Sequence, residues 1–132
     1  MPDQSLAAEM LLVFYPFAFS GLCTGELCQL RDELAVYTDA GVQVLAVSTD
    51  PIYTLKAFKV QENFDFPLIS DFWPHGAVAQ AYGVFNDGAG FANRGTFAVD
   101  RAGIVRYAAM KGPGETRDQS VWAEALAAVR GG

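Results

Sequence analysis

Two cysteines, five residues apart, are the only thiols in a chain of 132 residues, and the first stands where a sulfur can be made reactive. Cys23 closes the stretch Pro16-Phe17-Ala18-Phe19-Ser20-Gly21-Leu22-Cys23. That stretch follows the apolar run Leu11-Leu12-Val13-Phe14-Tyr15 and precedes a segment of helical periodicity. The order is a buried strand, a loop with proline and glycine, then a helix whose first turn holds Cys23. A helix N-terminus presents unpaired N–H groups and the positive end of the macrodipole, and both favour thiolate, the nucleophilic form, over thiol. Ser20, three residues upstream, reads as an N-cap of that helix or as a hydroxyl that can donate to one partner and accept from another. Pro16 reads as a turn proline.

Cys28 follows on the same helix. Five residues of intact helix are about 500° of rotation and roughly 7.5 Å of rise, so the two sulfurs would lie about 140° apart around the axis. A disulfide does not tolerate that separation. Bonding them requires the first turns to unravel, which Gly25 would ease because glycine weakens a helix interior. Otherwise Cys28 is a packed or exposed spectator.

The positioning elements follow from periodicity. Leu11 to Tyr15 is a strand buried on both faces, as in a parallel sheet, and residues 1–10 are a weakly patterned tail. Leu27, Leu30, Leu34 and Tyr37 predict a helix from 24 to about 39, ended by a left-handed Gly41. Val42 to Val47 is a second buried strand, and Ser48-Thr49-Asp50-Pro51 starts a helix that ends near Asn63. Phe66 to Ile69 is extended. Pro74 opens a helix through Val78, Ala81 and Tyr82, stopped by Gly83, and 86–93 is a loop. Gly95 to Asp100 and Ile104 to Ala109 form a hairpin across Arg101-Ala102-Gly103. After a loop at 111–116, a last helix turns Val121, Trp122, Ala125, Leu126 and Val129 inward. Right-handed crossovers make the first two strands parallel, and the hairpin completes a mixed sheet with helices on both faces. The expected class is α/β, in a single domain over 1–132.

Composition narrows the function. With 52% apolar residues the chain is long enough for one substantial core. A net charge of −6 argues against nucleic-acid and anionic-membrane partners, which want a basic face. No signal peptide or membrane-spanning run is recognisable, and two cysteines do not make a secreted disulfide scaffold, so a cytoplasmic setting is expected. His75 is the sole histidine and cannot make a metal site alone. After Trp73-Pro74 it reads as a local hydrogen-bonding or interface residue.

The pattern Pro-x-x-x-Ser-x-x-Cys made by Pro16, Ser20 and Cys23 resembles the peroxiredoxin active-site motif, and the resemblance runs from about Leu11 to Val129. Leu68 to Val78, Ala81 to Asn86, Asn93 to Asp100 and Lys111 to Glu115 are similar to the AhpE (alkyl hydroperoxide reductase E-like) subgroup. The Cys-x-x-x-x-Cys helix resembles the bacterioferritin-comigratory type. The resemblance implies a thioredoxin-like fold, in agreement with the element order. It implies that Cys23 is the peroxidatic nucleophile, that the Ser20 hydroxyl bonds the sulfur and the peroxide oxygen, and that the Pro16 ring shields the thiolate. Serine, where threonine is commoner, keeps the donor but loosens its rotamer.

Arg94, in Asn93-Arg94-Gly95-Thr96-Phe97, reads from sequence alone as a solvated residue before a strand. It resembles the family's active-site arginine, which lowers the sulfur's pKa, holds the peroxide and stabilises charge on the expelled oxygen. Cys28 is implied as a resolving cysteine; otherwise an external thiol completes the cycle. No metal and no organic cofactor are implied. The expected partners are hydrogen peroxide or an organic hydroperoxide, and a thiol reductant: thioredoxin, a mycoredoxin-like protein or a low-molecular-weight thiol. A homodimer is expected through loops beside the site, with Phe17, Phe19, Phe72 and Trp73 as exposed contacts. The family carries an N-terminal hairpin before the first strand; with ten residues there, that hairpin is expected to be missing and part of the sheet or helix layer uncovered. Two rivals remain. A thioredoxin-type dithiol oxidoreductase is disfavoured by the four-residue gap between the cysteines, and a redox-sensing or interaction module with weak turnover is favoured by the short N-terminus.

Overall fold

A computed structural model describes residues 8–115, 117 and 120–130, with the backbone alone described for Leu22, Cys23 and Arg130. In chain order the elements are β1 (Glu9–Phe14), α1 (Gly21–Asp32), α2 (Leu34–Asp39), β2 (Val42–Ser48), α3 (Ile52–Glu62), β3 (Leu68–Ser70), α4 (Ala77–Ala81), β4 (Phe85–Asn86), β5 (Phe91–Ala92), β6 (Arg94–Val99), β7 (Val105–Lys111) and α5 (Ser120–Arg130). The main sheet has the order β3-β2-β1-β6-β7. β1, β2 and β3 run parallel, while β6 is antiparallel to β1 and to β7. The mixed sheet and the parallel first pair are as the sequence predicts.

The unbroken apolar run of β1 has a direct cause. Side chains alternate across a strand, so Leu11, Val13 and Tyr15 enter a core with Leu27, Leu30, Phe58 and Trp122. Leu12 and Phe14 enter a second core with Ala79, Val84 and Phe97. Helices α1, α2, α3 and α5 contribute to the first layer; α4 and the β4–β5 hairpin cover the other face. The predicted inward stripe of α5 holds, with Val121, Trp122, Ala125 and Val129 buried. Among the described residues no helix is long and apolar enough to cross a membrane.

Several boundaries differ from the sequence reading, four of them with a clear physical reason. β1 takes in Glu9 and Met10, assigned above to the tail, because they continue the parallel register opposite Val42 and Gln43. Residues 1–7 of that tail lie outside the described residues. The helix predicted over 24–39 starts at Gly21 and is broken at Glu33, whose φ of −110° and ψ of 15° are not helical. α4 begins at Ala77 rather than Pro74, because Gly76 has a left-handed φ of 71°. A side chain on Gly76 would also run into the Phe85 ring. Part of the 86–93 loop pairs, Asn86 with Phe91, as the small β4–β5 hairpin. The left-handed Gly41 and the helix end at Asn63 are found as expected.

Phe58 is fully buried and centres an aromatic cluster, with ring centroids 6.4 Å from Tyr15, 4.9 Å from Phe19 and 5.1 Å from Phe64. Phe58→Ala would open a cavity there. It is expected to cost about 3–5 kcal/mol, read as a lower urea midpoint with an unchanged slope.

Candidate active site

The central strand β1 delivers the chain to the carboxyl end of the parallel strands, and the next six residues turn it into α1. Ser20 occupies the N-cap position, extended at φ −79° and ψ 148°, yet its hydroxyl makes no capping bond. That side chain is therefore not committed to the helix end. The first intrahelical bond runs from the Thr24 N–H to the Ser20 carbonyl at 2.9 Å. The N–H groups of Gly21, Leu22 and Cys23 precede it, as at any helix start. Cys23 is thus the third residue of α1, in the turn where the sequence places it; its side chain lies outside the described residues. Phe19 holds a left-handed φ of 68°, which costs a non-glycine residue roughly 1–2 kcal/mol, offset by the packing of its ring on Phe58.

Pro16, Ser20 and Arg94 border one open depression of about 440 Å³, together with Phe17, Gly21, Phe91 and Pro113. Phe17 and Phe91 form its apolar wall, their rings edge to face at 4.7 Å. Three residues singled out from the sequence therefore meet at the N-terminal end of the helix that carries Cys23.

Arg94 is not the solvated residue that its place before a strand suggests. It is 2% exposed. Its Nη1 donates to Glu26 Oε1 at 2.5 Å and its Nε to the Pro113 carbonyl at 3.0 Å. These bonds use two of the five guanidinium N–H donors, while the residue still borders the depression. Glu26, on α1, is buried as well and accepts from a second arginine. Arg117 donates Nη1 to Glu26 Oε1 at 2.6 Å and its backbone N–H to Oε2 at 2.8 Å. Arg117 also donates to Thr96 Oγ1 at 2.7 Å, to the Gly95 carbonyl at 2.9 Å and to the Phe14 carbonyl. One carboxylate faces two guanidiniums, so these three side chains together carry a net positive charge.

Sequence reasoning missed Glu26 and Arg117. The available signal for Glu26 was its spacing: three residues after Cys23 puts it on the same helix face. Arg117 precedes α5 in a segment with no periodicity, and nothing local marks it.

Cys28 sits apart from this cluster. It is half-buried against the main core, and among the described residues it is in no disulfide. Its Sγ donates to Glu62 Oε1 on α3 at 3.6 Å. Burial pushes its pKa up; Arg31 opposes this, and the hydrogen bond to Glu62 and that carboxylate's charge push it further up. His75 is exposed and bonds the Gly90 carbonyl through Nε2 at 2.6 Å, the local role expected for it.

The sequence pattern of the AhpC/TSA family matches residues 3–108. The chain belongs to this family and is a peroxiredoxin. Alkyl hydroperoxide reductase E of Mycobacterium tuberculosis is 59% identical over 123 residues, which are 93% of this chain and 80% of that protein. Among solved structures, AhpC of Enterococcus faecalis superposes with a TM-score of 0.85 at 27% identity, over 93% of this chain and 75% of the other. Peroxidoxin BcpB of Mycobacterium tuberculosis superposes with a TM-score of 0.82 at 30% identity, covering 96% and 81%. The thioredoxin-like fold of this peroxiredoxin agrees with the order of its elements.

The buried charges generate a sharp expectation. Glu26→Gln would leave two buried guanidiniums without their shared counter-charge. Breaking a buried pair from one side costs about 3–5 kcal/mol. Thermal and urea unfolding should therefore show a loss well beyond that of a surface Glu→Gln control.

Proposed function

We propose that this peroxiredoxin, a thiol-dependent peroxidase, reacts through a sulfenic acid on Cys23. The Cys23 thiolate attacks the distal oxygen of a hydroperoxide; an S–O bond forms as the O–O bond breaks. The expelled oxygen takes up a proton and leaves as water or an alcohol. Ser20 would bond both the sulfur and the peroxide, and Pro16 would keep water from the thiolate. Arg94 would stabilise the negative charge as it moves from sulfur to the leaving oxygen. A donor held rigid in advance needs no reorganisation when charge develops, and the bonds to Glu26 and Pro113 hold Arg94 that way. The observation that carries the reading is the meeting of Pro16, Ser20 and Arg94 around one depression at the start of α1.

The finer features follow from the same site. The Phe17–Phe91 wall suits an organic hydroperoxide as well as hydrogen peroxide. The reductant is a thiol, whether thioredoxin, a mycoredoxin-like protein or a small thiol, and the proposed setting is the cytoplasm. Phe17, Phe19, Phe72 and Trp73 are all exposed, and Phe17 borders the depression, which suits a homodimer contact.

Rapid-mixing oxidation of the purified protein by micromolar hydrogen peroxide tests the assignment. Cys23→Ser should abolish the reaction, and Arg94→Ala should slow it by about 10²–10³-fold, the usual loss on removing one such donor. A wild-type rate no faster than that of a free thiol would instead support a redox-sensing module. At pH 7 a single equivalent of iodoacetamide should label Cys23 and spare Cys28, whose raised pKa keeps it a thiol; labelling of Cys28 should climb only in the alkaline range.

We further propose that Cys28 resolves the sulfenic acid after α1 unwinds at its start. A side chain on Gly25 would meet nothing within 4 Å, so packing does not demand glycine there. Gly25→Ala should stiffen the turn by about 1 kcal/mol and slow intramolecular disulfide formation about fivefold, leaving the first oxidation unchanged. Cys28→Ser should remove the disulfide and likewise spare the first step.

A further inference from the structure

We infer that Asp50 is a positioning residue that latches the Pro16–Ser20 loop in the form that attacks peroxide, at the expense of the step in which the oxidised sulfur meets a thiol. The inference rests on Cys23 being the attacking sulfur.

The geometry lies at the carboxyl ends of the three parallel strands. Asp50, just past β2 and half-buried, accepts through Oδ2 from the Ala18 backbone N–H at 2.8 Å and from the Ser48 hydroxyl at 2.7 Å. Its own carbonyl accepts from the Ser70 hydroxyl, at the end of β3, at 2.7 Å. A chain of hydrogen bonds thus runs from the loop after β1, across the end of β2, to the end of β3. Ala18 sits midway between Pro16 and Ser20, which both border the depression. The next residue, Phe19, is held left-handed, a conformation that persists only when its surroundings impose it. The Asp50 carboxylate on one side and the Phe58 ring on the other supply that constraint. A loop fixed at Ala18 keeps the Ser20 hydroxyl and the start of α1 in register with Arg94. The same bond opposes any outward swing of the loop when the oxidised sulfur must meet a thiol.

The test uses the full chain carrying Cys28→Ser, with hydrogen peroxide for the first step and dithiothreitol as the probe thiol for the second. Asp50→Ala is expected to slow oxidation about tenfold or more, as a small misplacement of reacting groups does. It should also speed reduction of the sulfenic acid and remove the hydrogen-exchange protection of the Ala18 amide. Asp50→Asn keeps an acceptor oxygen and should recover most of both rates. Ser48→Ala leaves the carboxylate but removes the hydroxyl that steadies it. It should move both rates in the same directions by less, and it provides the reading if Asp50→Ala does not fold. The latch is overturned if oxidation by the variants stays within twofold of the parent, if both steps slow together as the melting temperature falls, or if Asn does not recover the rates. Peroxide consumption that survives Cys23→Ser would overturn the assignment beneath it, whatever the Asp50 variants do.

Discussion

One buried carboxylate sets the geometry of the end of the molecule where α1 begins. Glu26 and its two arginines are buried, so their charges are held by protein partners. Between them they take the carbonyls of Phe14 at the end of β1, Gly95 at the start of β6 and Pro113 beyond β7, together with the Thr96 hydroxyl. The helix that carries Cys23 is thereby tied to the two central strands and to the segment after β7. Apolar residues of similar volume could close the same space at comparable stability. What they could not supply is a pair of guanidiniums beside the first turns of α1, where the helix dipole also favours an anion.

Much of this is legible in the sequence where the signal is local. The run Leu11–Tyr15, the Pro16 and Gly21 punctuation and the helical spacing that follows place Cys23 without help from the rest of the chain. The parallel pair and the β6–β7 hairpin follow from the same kind of pattern. What is illegible depends on distance. Glu26 sits between a glycine and Leu27 and reads as a solvated helix residue, because its partners arrive 68 and 91 residues later. The break at Glu33 hides because the spacing of Leu30, Leu34 and Tyr37 continues across it. The late start of α4 hides because Pro74 is a good first-turn residue. Gly76 decides otherwise, through a left-handed turn packed against Phe85 that no local pattern announces.

The proposed mechanism places two opposed demands on the site. Attack on peroxide wants the loop and the first turn of α1 held still; passing the oxidised sulfur to a thiol wants them loosened. Among the described residues, the side-chain ties of α1 begin at Glu26. From Glu26 onward it is held, first by the buried arginines and then by Cys28 on Glu62 and by Arg31, whose Nη1 donates to the Glu62 carbonyl at 2.8 Å. Upstream of Glu26 lie Gly21 to Gly25, with glycine at both ends and Cys23 in the middle.

Unwinding that stops at Glu26 would leave Cys28 where it is and send Cys23 toward it. Three residues of extended chain reach about 10 Å, enough to sweep the sulfur around an axis that an intact helix would not let it cross. On this view the charge network does more than tune a pocket. On the proposed mechanism, a helix fixed at Glu26, three residues after Cys23, sets which part of the site is free to move.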